Sequence, residues 1–369
     1  MYLDDLKKHI DTLLATKDLK SYDEVFKYSK GAFPDVVYPL ISTHSLKKKY
    51  YGFKEVNNII PESNPTNYDW RFDNTTIKKI VSLVKSKKHK RIALFGTPSL
   101  FIPLTKITKD VILYDINEPL KAHFDNDNRI VLVDLNSFNF KGTNLFDCII
   151  MDPPWYLDYY KIWLQKGNSI LKLNGEILIT LFQDMLRPKA KTELKTINSI
   201  ATKIGSLQVV QDYVTYITPL FEKELFNFEN IPCYGNWRIA DLLIIKKENN
   251  TSLPSFKGYK VDRWTRLEIG TQTIAINAFK QKGQKIKVTF PYKNGDSLIK
   301  SVSERDLIRK KLNFITSRNR GLIITGCEKV IFILKAISEG VTKNRAFKEG
   351  NLSKAEILEF QKILDTIYI

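Results

Sequence analysis

The chain has 369 residues, 43% hydrophobic and 12% aromatic, with 58 Lys and Arg against 40 Asp and Glu. That composition belongs to a folded protein with a sizeable core and excludes a disordered or low-complexity chain. Of the net charge of +18, residues 251–369 hold two-thirds, 23 Lys and Arg against 11 Asp and Glu, which disfavours a polycationic substrate and points to a polyanionic partner, most simply a nucleic acid.

Residues 1–75 read as a mostly helical N-terminal segment. Leu3, Leu6, Ile10, Leu13 and Leu14 recur at helical spacing, and Tyr22 to Tyr28 suits a second short helix. Lys47-Lys48-Lys49-Tyr50-Tyr51 mixes cations and aromatics, as a solvated loop or a nucleic-acid contact would. Ile60-Pro-Glu-Ser-Asn-Pro-Thr-Asn67 reads as a linker.

From 76 to 250 the pattern alternates. Ile77 to Val84 predicts a helix, and Arg91–Phe95, Val111–Tyr114, Ile130–Val133, Phe146–Met151 and Glu176–Leu181 predict short strands. Tyr159 to Leu171 is helical in spacing. Short continuous apolar strands between helices predict a parallel sheet covered on both faces, an α/β fold. Strands near Leu207–Ile217 and Ala240–Lys246 would close it as an antiparallel pair. Residues 255–369 read as a separate basic α+β domain, a candidate for substrate recognition. There Thr265–Phe279 and Lys285–Phe290 are extended, while Leu307–Leu312, Lys329–Ser338 and Ser353–Leu364 are helical.

Three successive strands run into an acidic residue, Asp115, Asp134 and Asp152. In an open parallel sheet these strand ends share the edge where ligands bind. Phe95-Gly96-Thr97-Pro98-Ser99-Leu100 follows the first strand, and Asp115 lies 19 residues after Gly96, the spacing at which a carboxylate reaches ribose hydroxyls. One glycine rather than Gly-x-Gly-x-x-Gly favours a nucleoside cofactor without a pyrophosphate. Cys148, Cys233 and Cys327 stand isolated, and His9, His44, His89 and His123 are scattered, so neither a metal site nor a disulfide framework is expected. The N-terminus lacks an export signal, which makes a cytoplasmic location the expectation.

Asp152-Pro153-Pro154-Trp155 is the strongest local signal. Two prolines cannot continue a central strand, so they stiffen the loop and fix the Asp152 carboxylate and the Pro153 carbonyl. With Trp155 as a flat apolar face, the set suits a planar ring carrying an amino group, whose delocalised lone pair needs two acceptors on its hydrogens. Tyr156, Tyr159 and Tyr160 follow, as pocket lining or core. Gln183 and Arg187-Pro188 after the fifth strand are weaker candidates for the cleft. Asn236-Trp237-Arg238 combines a stacking surface with a cation, as a nucleotide guide or, more simply, a satisfied hairpin would, and Arg263-Trp264-Thr265-Arg266 and Ser317-Arg318-Asn319-Arg320 suit phosphate contacts or solvated turns.

The tetrapeptide after Phe146-Asp-Cys-Ile-Ile-Met resembles the catalytic motif of amino-group methyltransferases, notably the adenine-N6 methylases of messenger RNA and DNA. The order, glycine loop first, and the runs Gly96–Leu100 and Tyr114-Asp-Ile-Asn-Glu-Pro119 more closely resemble the probable N6-adenine methyltransferases, some of which methylate protein lysine. In that group the last motif position is more often Phe or Tyr; Trp155 departs from it and tilts toward adenine. The resemblance covers residues 91–185. It implies the Rossmann-like, seven-stranded class I methyltransferase fold, S-adenosylmethionine as cofactor, and transfer to an exocyclic amine, adenine N6 in DNA or RNA, with protein lysine or a catalytically inactive nucleic-acid-binding subunit as alternatives. By the same resemblance Asp152, Pro153, Pro154 and Trp155 would be catalytic. Gly96, Thr97, Pro98, Ser99, Asp115, Asn117, Asp134 and Leu135 would hold the cofactor. Tyr156, Trp237, Arg238, Arg318 and Arg320 are the residues expected to meet the substrate.

Overall fold

A computed structural model describes residues 2–48, 61–256, 263–281, 283–301 and 306–368; Lys49, Tyr50, Tyr51 and Ile60 of the segments above lie outside them. Three helices open the chain, α1 (Tyr2–Thr16), α2 (Tyr22–Tyr28) and α3 (Pro34–Ile41). The apolar stripe of α1, Leu6, Ile10 and Leu13, is buried with Phe26, Val37 and the later Phe226 and Trp237. The N-terminal helices are thus packed onto the rest of the protein through a core of their own.

The large sheet is built from β1 (Arg71–Phe72), β2 (Arg91–Phe95), β3 (Asp110–Asp115), β4 (Ile130–Leu132), β5 (Phe146–Met151), β6 (Leu171–Leu181), β7 (Gly205–Ile217) and β8 (Ile239–Lys247). Between these strands run α4 (Asn74–Lys87), α5 (Phe101–Thr105), α6 (Pro119–His123), α7 (Leu157–Ile170), α8 (Ala190–Ala201) and α9 (Leu220–Phe228). Helix α4 starts where the Asp73 carboxylate accepts the Thr76 N–H at 2.7 Å, and it stops at Lys88, which turns left-handed at φ 58°. Its Ile80 and Val84 face the sheet. Ile92 to Phe95 are all fully buried because helices cover both sheet faces.

The strand order is β1-β7-β8-β6-β5-β2-β3-β4. Strands β2 to β6 are parallel, and β8 enters antiparallel between β6 and β7. Seven of these strands form the expected Rossmann-like sheet; β1 is a short addition at the edge. The chain winds outward from β2 to β4, then resumes on the other side of β2 at β5. That reversal opens a crevice at the carboxyl ends of β2, β3 and β5, where Gly96, Asp115 and Asp152 stand.

A C-terminal antiparallel sheet follows, β9 (Thr265–Ile269), β10 (Gln272–Ile276), β11 (Lys287–Thr289), β12 (Phe314–Thr316) and β13 (Gly321–Thr325), in the order β11-β13-β12-β10-β9. Helices α10 (Cys327–Ser338), α11 (Lys343–Glu349) and α12 (Lys354–Tyr368) accompany it. Val330, Ile333, Phe360 and Ile363 are buried with Ile274, Phe314 and Leu322 in its core. The extended stretch expected at Thr265–Phe279 is two strands, folded back at Gly270. The helix expected at Leu307–Leu312 is only a single turn, Arg309–Lys311, because Leu312 is already extended on entering β12.

Direct bonds fix this sheet against the first. Asn64 donates from Nδ2 to the carbonyls of Thr273 and Ile315 at 3.0 and 3.2 Å. The Arg266 N–H donates to Glu118 at 3.1 Å, and His123 meets Glu268 at 2.9 Å. Residues 62–67 are therefore a strap fastened to the second sheet. No helix among the described residues is long and apolar enough to cross a membrane.

Candidate active site

Two cavities meet at the Asp152 turn. The larger, about 810 Å³, runs from Gly96, Asp115 and Asp134 to Trp264 and Phe279 of the second sheet. The smaller, about 420 Å³, lies between the N-terminal helices, the Asp152–Tyr156 loop, α9 and Arg238. Asp152, Pro154, Tyr68 and Trp70 line both.

Gly96 sits in the left-handed region at φ 61°, and a Cβ there would lie 3.0 Å from the Trp163 ring. The bare backbone thus keeps the floor of the larger cavity open. Asp115, at the end of β3, is 9% exposed, and its Oδ1 accepts the Asn117 N–H at 2.9 Å. Burial, reinforced by the charge of Asp69, pushes its carboxyl up to about 7.

Asp152 is placed by β5, whose hydrogen bonding to β2 continues one step further as the Asp152 N–H donates to Phe95 O at 3.1 Å. Its Oδ1 accepts from Thr180 Oγ1 on β6 at 2.6 Å and from the Tyr216 hydroxyl on β7 at 2.8 Å. Oδ2 has no donor among the described residues, nor has the Pro153 carbonyl. Burial pushes the Asp152 carboxyl up to about 7, against the two hydroxyl donors and Arg238, which pull it down.

The structure corrects several expectations. Trp155 is 8% exposed, and the Arg238 guanidinium lies 3.8 Å from its ring centroid and 4.0 Å from that of Trp70. One indole face expected to meet a substrate ring is therefore taken by a cation. Thr97, Pro98, Ser99 and Asn117 do not line the larger cavity. After Gly96 the chain turns away into a helical turn, Pro98–Leu100, and Thr97 and Asn117 are each 1% exposed. Asn117 serves Asp115 through its backbone alone. Asp134 and Leu135 do line it.

Among the expected substrate residues, Tyr156 and Arg238 line the smaller cavity. Trp237 does not: it is 1% exposed and donates from Nε1 to Glu222 at 3.0 Å, inside the N-terminal core. Arg318 and Arg320 lie outside both cavities, with Glu62 at 3.6 Å and Asp296 at 3.5 Å. They hold the strap and a turn of the second sheet. Tyr159 faces the larger cavity and Arg187 the smaller. Tyr160 is core, and Gln183 binds Asp212 and Asp241.

Sequence reasoning missed Tyr68-Asp69-Trp70, Trp163, Thr180, Tyr216 and Glu222. Only the first group carried a signal, two aromatics around a carboxylate directly after the Asn-Pro stretch.

Residues 66–239 match the family described as probable N6-adenine methyltransferase. Over those residues the chain is similar to that family. It is an S-adenosylmethionine-dependent N-methyltransferase. No curated protein sequence matches the chain. Among solved structures, this methyltransferase resembles the branched-chain polyamine synthase of Thermus thermophilus bound to N4-aminopropylspermidine and 5'-methylthioadenosine. The TM-score is 0.51 at 10% identity, over 69% of this chain and 92% of that one. The C9 mutein of the same synthase gives 0.53 at 10% identity, over 68% and 88%. A 16S rRNA N2 G1207 methyltransferase from Thermus thermophilus gives 0.30 at 12%, over 50% and 42%. At such identities the likeness to the synthase is one of fold.

The residues present fit the cofactor: a glycine-floored cavity walled by Asp69, Asp115 and Asp134 suits ribose hydroxyls and a sulfonium cation. Acidity has a cost in the methyltransferase. Asp115 and Asp152 are held up to about 7 and Glu222 up to about 8, each chiefly by burial. A carboxyl whose folded value exceeds its unfolded value stabilises the fold in its neutral form, and that contribution is lost as pH rises through the folded value. The ligand-free protein should therefore melt several degrees lower at pH 8.5 than at pH 6 in a thermal scan, and a melting point rising across that range would contradict the burial of these groups.

Proposed function

We propose that the methyltransferase acts on an exocyclic amine, adenine N6 in DNA or RNA, with Asp115 and Asp134 on the cofactor and Asp152 and Pro153 on the amine. One observation carries this reading. At the junction of the two cavities, Asp152 commits one oxygen to Thr180 and Tyr216 and leaves the other to accept from a ligand. When bound, S-adenosylmethionine supplies an electrophilic methyl group on its sulfonium.

Asp152 Oδ2 and Pro153 O would each accept one hydrogen of the amine. Drawing on both hydrogens frees the nitrogen lone pair from the ring as the N–C bond forms and the S–C bond breaks. The proton then released from nitrogen can pass by way of Asp152, whose value near 7 suits a transient acceptor. Thr180 and Tyr216 keep that carboxylate in place. Tyr68 and Tyr156, edge to face at 6.0 Å, offer the aromatic surface that Arg238 denies on Trp155.

A second reading, transfer to a protein lysine, is favoured by the composition of the smaller cavity. Asp35, Asp152 and Glu222 line it beside aromatic rings, an environment for an alkylammonium as much as for a base. Incubation with methyl-labelled cofactor and separate DNA, RNA and protein pools decides between them. Label in a nucleic-acid pool, released as N6-methyladenine, supports the first reading; label confined to protein replaces it with the second.

A further inference from the structure

The larger cavity has two walls of opposite charge. The wall from the first sheet and the segment leading into β1 carries Asp69, Asp115, Asp134 and Asp152. The wall from the second sheet carries Arg263, Trp264, Phe279, Lys280, Arg309 and Lys310. A sulfonium cofactor without phosphates explains the acidic wall and is mismatched to the basic one. Four cations facing the cofactor cavity call for a ligand that brings its own negative charge into the cleft.

The aromatic side chains on that wall narrow the choice. Phe279 is 70% exposed, with the Arg263 guanidinium 4.9 Å from its ring centroid. Lys280 Nζ lies 4.9 Å from the Trp264 centroid and donates to Leu312 O at 2.8 Å. Rings alternating with cations at the mouth of a cleft are what an unstacked base and its flanking phosphates require. In a duplex the bases stack on each other and offer no free face to such rings.

We infer that Arg263, Trp264, Phe279 and Lys310 form a platform for single-stranded nucleic acid, stacking a base next to the target nucleotide and neutralising the phosphates beside it. The inference rests on the nucleic-acid reading of the function and names the form of the substrate. It accounts for the concentration of positive charge in residues 251–369. The platform is built on the segments flanking β9 and β10 and on the helical turn before β12 of the second sheet, which the bonds of Asn64, Arg266 and His123 hold against the first.

The test uses the full chain and fluorescent oligomers without adenine, oligo(dT) and oligo(U), so that binding is read apart from methyl transfer. Anisotropy should show the wild type binding one or both single strands more tightly than a duplex of equal length. Phe279→Ala, at a solvent-facing position, should weaken single-strand binding roughly fivefold or more. Arg263→Ala with Lys310→Ala should reduce the salt dependence of log K by about 1.4, as expected for two lost contacts to single-strand phosphates. Calorimetric affinity for S-adenosylmethionine should stay unchanged in all of them.

Variants that bind the oligomers like wild type, a preference for duplex, or a loss of cofactor affinity in place of strand affinity would overturn the platform. Adenine methylation that survives the variants with unchanged strand affinity would remove the platform and keep the function. Strand binding that the variants weaken, with methyl label only on protein, would remove the adenine reading and keep the platform.

Discussion

Asp152→Ala lowers the turnover of methyl transfer by roughly 10²- to 10⁴-fold while the affinity for S-adenosylmethionine changes little. The alanine takes away the proposed acceptor for the amine and leaves Gly96, Asp115 and Asp134 in place. It also leaves the Tyr216 hydroxyl and Thr180 Oγ1 without their shared acceptor, so some loss of stability accompanies the loss of rate. Asp152→Asn separates these effects. The amide keeps an acceptor for the two hydroxyls and loses the charge.

The pH profile identifies the charge. With the carboxyl held up to about 7, turnover at saturating cofactor rises with pH through that value as Asp152 ionises and becomes a full acceptor. In Asp152→Asn the rise disappears and the residual rate is flat across the same range. A variant with wild-type turnover, or one that keeps the rise, would mean that another group receives the amine.

Asp115→Asn is the second large effect, and it falls on binding. A charged acceptor for ribose hydroxyls contributes about 1.5–3 kcal/mol, so the affinity for S-adenosylmethionine should drop about 10- to 150-fold. Turnover at saturation should move much less. Burial and Asp69 hold this carboxyl up to about 7 as well, so wild-type affinity strengthens as pH rises through that value. Titration calorimetry at pH 6 and pH 8 checks both points. Equal affinity of variant and wild type at pH 8 would take Asp115 out of the cofactor site.

Local patterns carried the central sheet well. Arg91–Phe95 and Phe146–Met151 were readable to the residue, since a strand buried on both faces is a bare apolar run cut off by Gly96 or by the Asp152 prolines. Strands β7 and β8 were found with ends off by one or two residues, because Gly205 and Ser206 extend β7, and Lys247 extends β8, past the apolar runs. The short β1 has no pattern of its own; it exists through pairing with β7 at Ile217 and Tyr216. Helices α8 and α9 went unread, with Lys, Thr and Glu masking narrow apolar stripes.

The candidate site was legible where chemistry is set by one loop and obscure where it is set by packing. Asp152, Asp115 and Gly96 share one crevice because the ends of parallel strands must. Whether Trp155 shows a face depends on Arg238, 83 residues further on. Arg263-Trp264 and Arg318-Asn319-Arg320 looked alike as basic turns. The first faces the crevice, while the second holds Glu62 and Asp296. Nothing local in either run tells which end of the second sheet it occupies.

A crystal structure with S-adenosylhomocysteine and adenosine would examine the Asp152 junction most directly. The expected result places the ribose of the cofactor product on Asp115 in the larger cavity, with its sulfur toward Asp152. The adenosine N6 should then sit within hydrogen-bond distance of Asp152 Oδ2 and Pro153 O. Adenosine bound elsewhere, or a cofactor product whose sulfur points away from that turn, would contradict it.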